Sequence, residues 1–152
     1  MLREEDSSGN GRPDRWTFYE GRVRSDVWED ADGAGRPHVR LVFGPGGRTV
    51  VRIEFLAGEG KDLARVFHYA NDALVSEDHD TNGDGSLDRF DRFDAEGRLR
   101  ERGEDLDGDG RIDLRSIYRE GKLVRREVAS PVFLPDDTWT ERGSNGVGTS
   151  DR

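Results

Sequence analysis

Two stretches of this chain carry oxygen-bearing side chains at every second position. The first is Asp80-Thr81-Asn82-Gly83-Asp84-Gly85-Ser86-Leu87-Asp88-Arg89-Phe90-Asp91, with oxygens at its first, third, fifth, ninth and twelfth places. The second is Asp105-Leu106-Asp107-Gly108-Asp109-Gly110-Arg111-Ile112-Asp113, with the same pattern through its ninth place. Alternate residues of a tightly curled loop point inward together, and a glycine at the sixth place allows the sharp bend. Carboxylates gathered in this way repel one another unless a cation joins them. A hard cation such as calcium takes six to eight oxygens at about 2.3–2.6 Å. The expected chemistry is therefore calcium coordination by Asp80, Asn82, Asp84, Asp88 and Asp91 in one loop, and by Asp105, Asp107, Asp109 and Asp113 in the other.

These loops resemble the EF-hand calcium loop. In that family the seventh residue ligates through its backbone carbonyl, which the resemblance assigns to Ser86 and Arg111. The twelfth place, a bidentate carboxylate in the family, is Asp91 in the first loop and Ser116 in the second. EF-hand loops lie between helices, whereas strand-like runs follow the loops here, so the resemblance covers the loops alone. The whole unit is similar to bacterial exported repeat proteins in which DxDGDG loops link β-hairpins. It is also similar to the calcium loops of thrombospondin type 3 repeats and integrin propellers.

Three weaker copies accompany the two strong loops. Asp6-Ser7-Ser8-Gly9-Asn10-Gly11-Arg12-Pro13-Asp14 keeps Asp6, Ser8, Asn10 and Asp14, with neutral oxygens in the middle, and is expected to bind weakly. Asp30-Ala31-Asp32-Gly33-Ala34-Gly35 ends in His38, and the region around Glu59-Gly60 keeps almost no ligands; both are expected to be empty. Asp, Asn and Gly are also ordinary turn residues, so the competing reading is a set of metal-free turns. That reading does not account for oxygen-bearing side chains, seven of the eight being carboxylates, recurring at i, i+2, i+4 and i+8 in two separate loops.

Five glycines, Gly11, Gly35, Gly60, Gly85 and Gly110, mark a repeat of about 25 residues. Eight places after each stand Tyr19, Phe43, His68, Phe93 and Tyr118. Within each unit an Asp/Gly loop leads into a short run rich in aromatic and β-branched residues, such as Arg15-Trp16-Thr17-Phe18-Tyr19. A tight turn such as Glu20-Gly21 follows, and a second run returns. Runs of this kind between Gly-rich turns read as β-hairpins. The expected fold is all-β, an antiparallel meander or stacked array of about five hairpins over residues 1–129, followed by a C-terminal tail, 130–152, that is partly flexible. Leu63, Val66, Phe67, Ala70 and Leu74 also fit helical spacing, but the repeat register makes residues 62–75 strand, turn and strand.

Composition limits what the chain can do. It has 152 residues, 33 acidic and 24 basic, for a net charge of −9, which disfavours nucleic acid and anionic membranes as partners. Leu, Ile, Val and Phe make up only about 22% of it, near the roughly 20% below which disorder prevails. Bound metal would add its binding free energy to such a fold. Without cysteine there is neither a disulfide nor a thiolate site. No segment approaches the roughly 18 apolar residues of a membrane span, and Met1-Leu2-Arg3-Glu4-Glu5 is no signal peptide.

The function expected from the sequence is a calcium-stabilised structural or partner-binding module outside the cytosol, with an unspecified protein or polysaccharide partner. Catalysis is not expected. Asp78-His79-Asp80 has a faint likeness to the paired aspartates of haloacid-dehalogenase-type phosphotransferases, but no Gly-rich phosphate loop or serine elbow accompanies it. The alternation of Arg98, Arg100, Arg102, Arg115, Arg119, Arg125 and Arg126 with acids reads as a solvated sheet face with cross-strand ion pairs.

Overall fold

The computed structural model describes residues 1–58 and 62–129. They form eleven strands in one open antiparallel sheet whose spatial order is the chain order. The strands are β1 (Leu2–Glu5), β2 (Arg15–Glu20), β3 (Val23–Glu29), β4 (Val39–Phe43), β5 (Val50–Ala57), β6 (Asp62–Ala70), β7 (Ala73–His79), β8 (Arg89–Phe93), β9 (Leu99–Glu104), β10 (Leu114–Arg119) and β11 (Lys122–Val128). The all-β hairpin meander expected from the repeat is what the chain adopts. Residues 62–75 are strand, turn and strand, and the helical spacing there goes unused. The expected tail, 130–152, lies outside the described residues.

A meander alternates its connections between two edges. The long Asp/Gly loops after β1, β3, β7 and β9 therefore share one edge with the short connection between β5 and β6. The tight turns at Gly21, Gly46, Asn71-Asp72, Gly97 and Gly121 share the other. Asn71 and Asp72 take positive φ (50° and 62°), a conformation that Asn and Asp tolerate better than other side chains.

Each tight-turn hairpin carries a register shift just before its turn, at Phe18/Tyr19, Val42/Phe43, His68/Tyr69, Arg92/Phe93 and Ile117/Tyr118. This bulge corrects the aromatic column of the sequence. In the third unit the equivalent residue is Tyr69, one place after His68, so all five units carry an aromatic at the bulge. His68 instead sets its Nε2 2.9 Å from Asp78 Oδ2.

Among the described residues no second layer covers the sheet: every substantial inter-strand contact joins strands adjacent in the chain. Among the described residues only Val27 and Val66 are buried hydrophobics. Cross-strand neighbours must therefore shield one another. Along one face the midline runs Thr17, Val27, Leu41, Ile53, Phe67, Glu77, Asp91, Arg102 and Ser116. It begins apolar, with Phe55 packing edge-on to Phe67 at 5.7 Å, and becomes ionic. The Arg65 guanidinium pairs with Glu77, and Arg102 grips Asp91 with two bonds of 2.7 and 2.8 Å. On the opposite face Arg40 lies over the Trp28 ring at 5.2 Å, bonds Asp26 at 2.8 Å and reaches Glu54 at 3.2 Å.

These ion pairs are unequal. Asp91 is 4% exposed, so removing its bidentate partner leaves a buried carboxylate with only the Arg89 guanidinium, 3.6 Å away, to offset its charge. Arg98 pairs with Asp94 and Glu96 at an exposed turn, where ion pairs contribute little. Arg102→Ala is expected to destabilise the sheet by about 2–3 kcal/mol, and Arg98→Ala to leave its stability nearly unchanged. Urea unfolding midpoints of the two variants test the difference; equal losses would remove the ionic midline as a determinant of stability.

Candidate functional site: the acidic edge

Four of the edge loops are built on one hydrogen-bond plan. Glycines at the fourth and sixth places take positive φ in each: Gly9 and Gly11, Gly33 and Gly35, Gly83 and Gly85, Gly108 and Gly110. The curl turns backbone N–H groups inward, and the first aspartate accepts them. Asp6 accepts from Gly9 and Gly11, both at 2.7 Å. Asp80 accepts from Gly83 and Gly85 at 2.6 and 2.9 Å. Asp105 accepts from Gly108 and Gly110, both at 2.8 Å. Asp30 accepts from Ala34 and Gly35 at 3.0 and 2.8 Å.

The ninth residue completes the plan from the far side of the loop. Asp14 accepts from the Ser7 and Ser8 amides, Asp88 from Thr81, and Asp113 from Leu106 and Asp107. Asp113 is only 2% exposed, so its charge is held by the amides and not by water. Asp14, Asp88 and Asp113, expected as ligands, thus also fasten the start of each loop.

The middle positions distinguish the two strongest loops. In the loop after β9, Asp107 accepts from the Asp109 amide at 3.1 Å and Asp109 from the Arg111 amide at 2.9 Å. Asp105, Asp107 and Asp109 still bring one oxygen each to within 4.8 Å of one another. In the loop after β7, Asn82 Oδ1 accepts from the Asp84 amide at 2.8 Å, and Asn82 Nδ2 donates to Asp84 Oδ2 at 3.0 Å. A side-chain donor there occupies one Asp84 oxygen. Asp84 also accepts from the Ser86 amide at 2.8 Å.

Other expected ligands lie apart from these centres. Asp91 belongs to β8, where Arg102 holds its carboxylate on the sheet face. In the first loop the Ser8 hydroxyl donates to Asp6 at 3.1 Å, and Asn10 accepts from the Arg12 amide at 2.8 Å. Ser86 and Arg111, assigned carbonyl ligands by resemblance, are exposed. The site expected to be empty around Glu59-Gly60 lies outside the described residues. Asp78 and His79 point to opposite faces of β7, Asp78 toward His68 and His79 toward Glu77.

Two features were not anticipated. Asp62, at the start of β6, lies against Gly85, its carboxyl carbon 3.1 Å from where a β-carbon on that glycine would stand. The loop expected to be empty after β3 brings Asp30, Asp32 and His38 together within 4.8 Å. The signal for the second was the histidine itself, in the place where the other three loops carry their fastening aspartate.

The amide bonds have a titratable consequence. Asp80 is held below its ordinary value of 3.8, first by the Gly85 amide, and Asp6 likewise by the Gly11 amide. A carboxylate whose folded pKa is depressed contributes stability that is complete above 3.8 and is lost as the pH falls through the lower folded value. With chelator present, the melting temperature is expected to be insensitive to these groups above about pH 5 and to fall steadily below pH 4. Asp80→Asn should flatten that acid limb; an unchanged limb would show that the loop bonds do not contribute.

No family model and no curated protein matches this chain. Among solved structures, a chain of a GtfA/B complex shares the fold with a TM-score of 0.53 at 14% identity, covering 79% of this chain and 22% of that one. The present chain therefore spans about a fifth of that chain's length, and the likeness is one of fold.

Proposed function

We propose that this protein is a calcium-stabilised repeat module in which ions held at the acidic edge rigidify a single-layer sheet that serves a structural or partner-binding role. The observation that carries the reading is the convergence of Asp105, Asp107 and Asp109 within 4.8 Å. Three like charges at that separation repel, and a hard cation among them converts the repulsion to attraction. A loop already curled by Gly108 and Gly110 has little further ordering to undergo on binding.

Three carboxylates with the Arg111 carbonyl fall short of six protein ligands, so water would complete the shell. Sites of this class in extracellular modules bind at roughly 10⁻⁴–10⁻³ M, which suits a millimolar calcium environment outside the cytosol. The loop after β7 offers Asp80 and Asp84 with the Asn82 amide rotated, and the first loop is weaker still. An unspecified protein or polysaccharide on the open sheet faces belongs to the same proposal. Catalysis does not.

A second reading has its own support. The first and ninth aspartates are satisfied by loop amides, and a turn stabilised in this way needs no ion. The two readings separate on metal dependence. For a site of about 10⁻⁴ M, 2 mM free calcium should stabilise the fold by about 1.8 kcal/mol. That corresponds to a melting rise of roughly 4–7 °C per site in a chain of this size over the same sample in excess chelator. Identical melts would leave the metal-free turns as the account. Asp109→Asn keeps an acceptor for the Arg111 amide but removes a charge; it is expected to weaken calcium binding about tenfold by isothermal titration, equivalent to about 1.4 kcal/mol. An unaltered isotherm would take this loop out of the proposal.

A further inference from the structure

We infer that the loop after β3 is a site for a borderline divalent transition metal, zinc being the probe of choice, held by Asp30, Asp32 and His38. The inference does not depend on calcium binding elsewhere on the edge. It starts from the one departure in the shared loop plan. In three loops the ninth residue is an aspartate that accepts the amides at the loop's beginning. Here that residue is His38, whose imidazole faces the Asp32 carboxylate where the other loops present backbone amides to an aspartate. Its Nδ1 is buried, has no hydrogen-bond partner, and stands 3.5 Å from Asp32 Oδ1.

The two aspartates are positioned from behind. Asp30 is 8% exposed, and its oxygens are anchored by the Ala34 and Gly35 amides. Asp32 accepts from the Ala34 amide at 2.9 Å. Each carboxylate retains lone pairs for a further partner. The three ligand atoms lie within 4.8 Å of one another. Tetrahedral zinc at about 2.0–2.1 Å from nitrogen and oxygen places its ligand atoms roughly 3.3 Å apart. The His38–Asp32 separation is thus already near a metal-bound value, although it fails the geometry of a hydrogen bond.

Ligand chemistry sets the metal class. Imidazole suits zinc, copper, nickel and iron, whereas calcium and magnesium take oxygens. With a neutral imidazole the two carboxylates supply two negative charges, matching a divalent ion. The loop also forms one wall of a cleft of about 840 Å³ whose other wall includes Asn10, Asp14 and Trp16 of the first unit. Asp30 and Asp32 line that cleft, the side from which water or an external ligand would complete a site with three protein ligands.

The test is isothermal titration of the full, untagged chain with zinc, in buffer with and without calcium. The wild type is expected to bind one zinc equivalent that His38→Gln loses or weakens at least about tenfold. The calcium isotherm should be the same for both proteins. Asp32→Asn keeps the Ala34 bond and His38, so it serves as the second variant should His38→Gln fail to fold; it too should weaken zinc at least about tenfold. No zinc binding by the wild type would overturn the inference. So would an isotherm unchanged in both variants, which would place zinc on His68 or His79. Loss of calcium binding alone would instead count against the calcium module and leave the zinc site standing.

Discussion

Cross-strand pairing is the constraint on which this sheet depends. Among the described residues no second layer covers it, and their two buried aliphatic side chains cannot supply a core for eleven strands. The backbone ladder fixes the meander, and on both faces the side chains of neighbouring strands take the part that another sheet or helix would normally play. The apolar cross-strand row from Val27 to Phe67 does this by mutual burial. The ionic row from Glu77 to Arg102 does it with charge-assisted bonds between groups that are themselves half-buried.

The same constraint explains the composition. A two-sided solvated sheet needs polar atoms on both faces, so alternation of apolar and polar residues is replaced by alternation of charge sign across strands. That is why a chain with 38% charged residues folds where its aliphatic content alone argues for disorder. Arg40 illustrates the balance. Burial works against its charge, yet Asp26 and Glu54 outweigh that cost and hold the guanidinium more firmly protonated than usual. The loops obey the same logic at the edge, where inward amides stabilise the carboxylates of the first and ninth residues.

Most of the architecture was legible in the sequence because it is periodic. Equivalent glycines and turn residues impose the hairpin plan in every unit, and the period outweighs the helical spacing of Leu63 to Leu74. What the sequence did not disclose is one-residue detail. The third unit is offset by one place, so His68 occupies the expected aromatic position by counting while Tyr69 occupies it by hydrogen bonding at the bulge. A bulge leaves no mark on composition. Asp91 shows a second limit. Spacing from Asp80 makes it a twelfth ligand, but strand pairing places Arg102 directly opposite, and a bidentate guanidinium then holds the carboxylate.

At the acidic edge the sequence ranks loops by counting carboxylates, whereas the fold ranks them by which carboxylates are left with lone pairs. Asn82 counts as an oxygen in the pattern, yet its amide donates to Asp84 and so partly replaces a cation. Asp107, its counterpart, has no hydrogen to donate, and its charge stays in the cluster with Asp105 and Asp109. His38 inverts the ranking further. As a substitution it subtracts a carboxylate, but it also removes the tie that an aspartate makes to the start of the loop. The imidazole nitrogen that results has no partner on the protein and two oxygens close by. In a repeat where three loops share one ninth residue, the fourth has given up the fastening aspartate, and the departure falls in the loop that borders a cleft shared with the first unit.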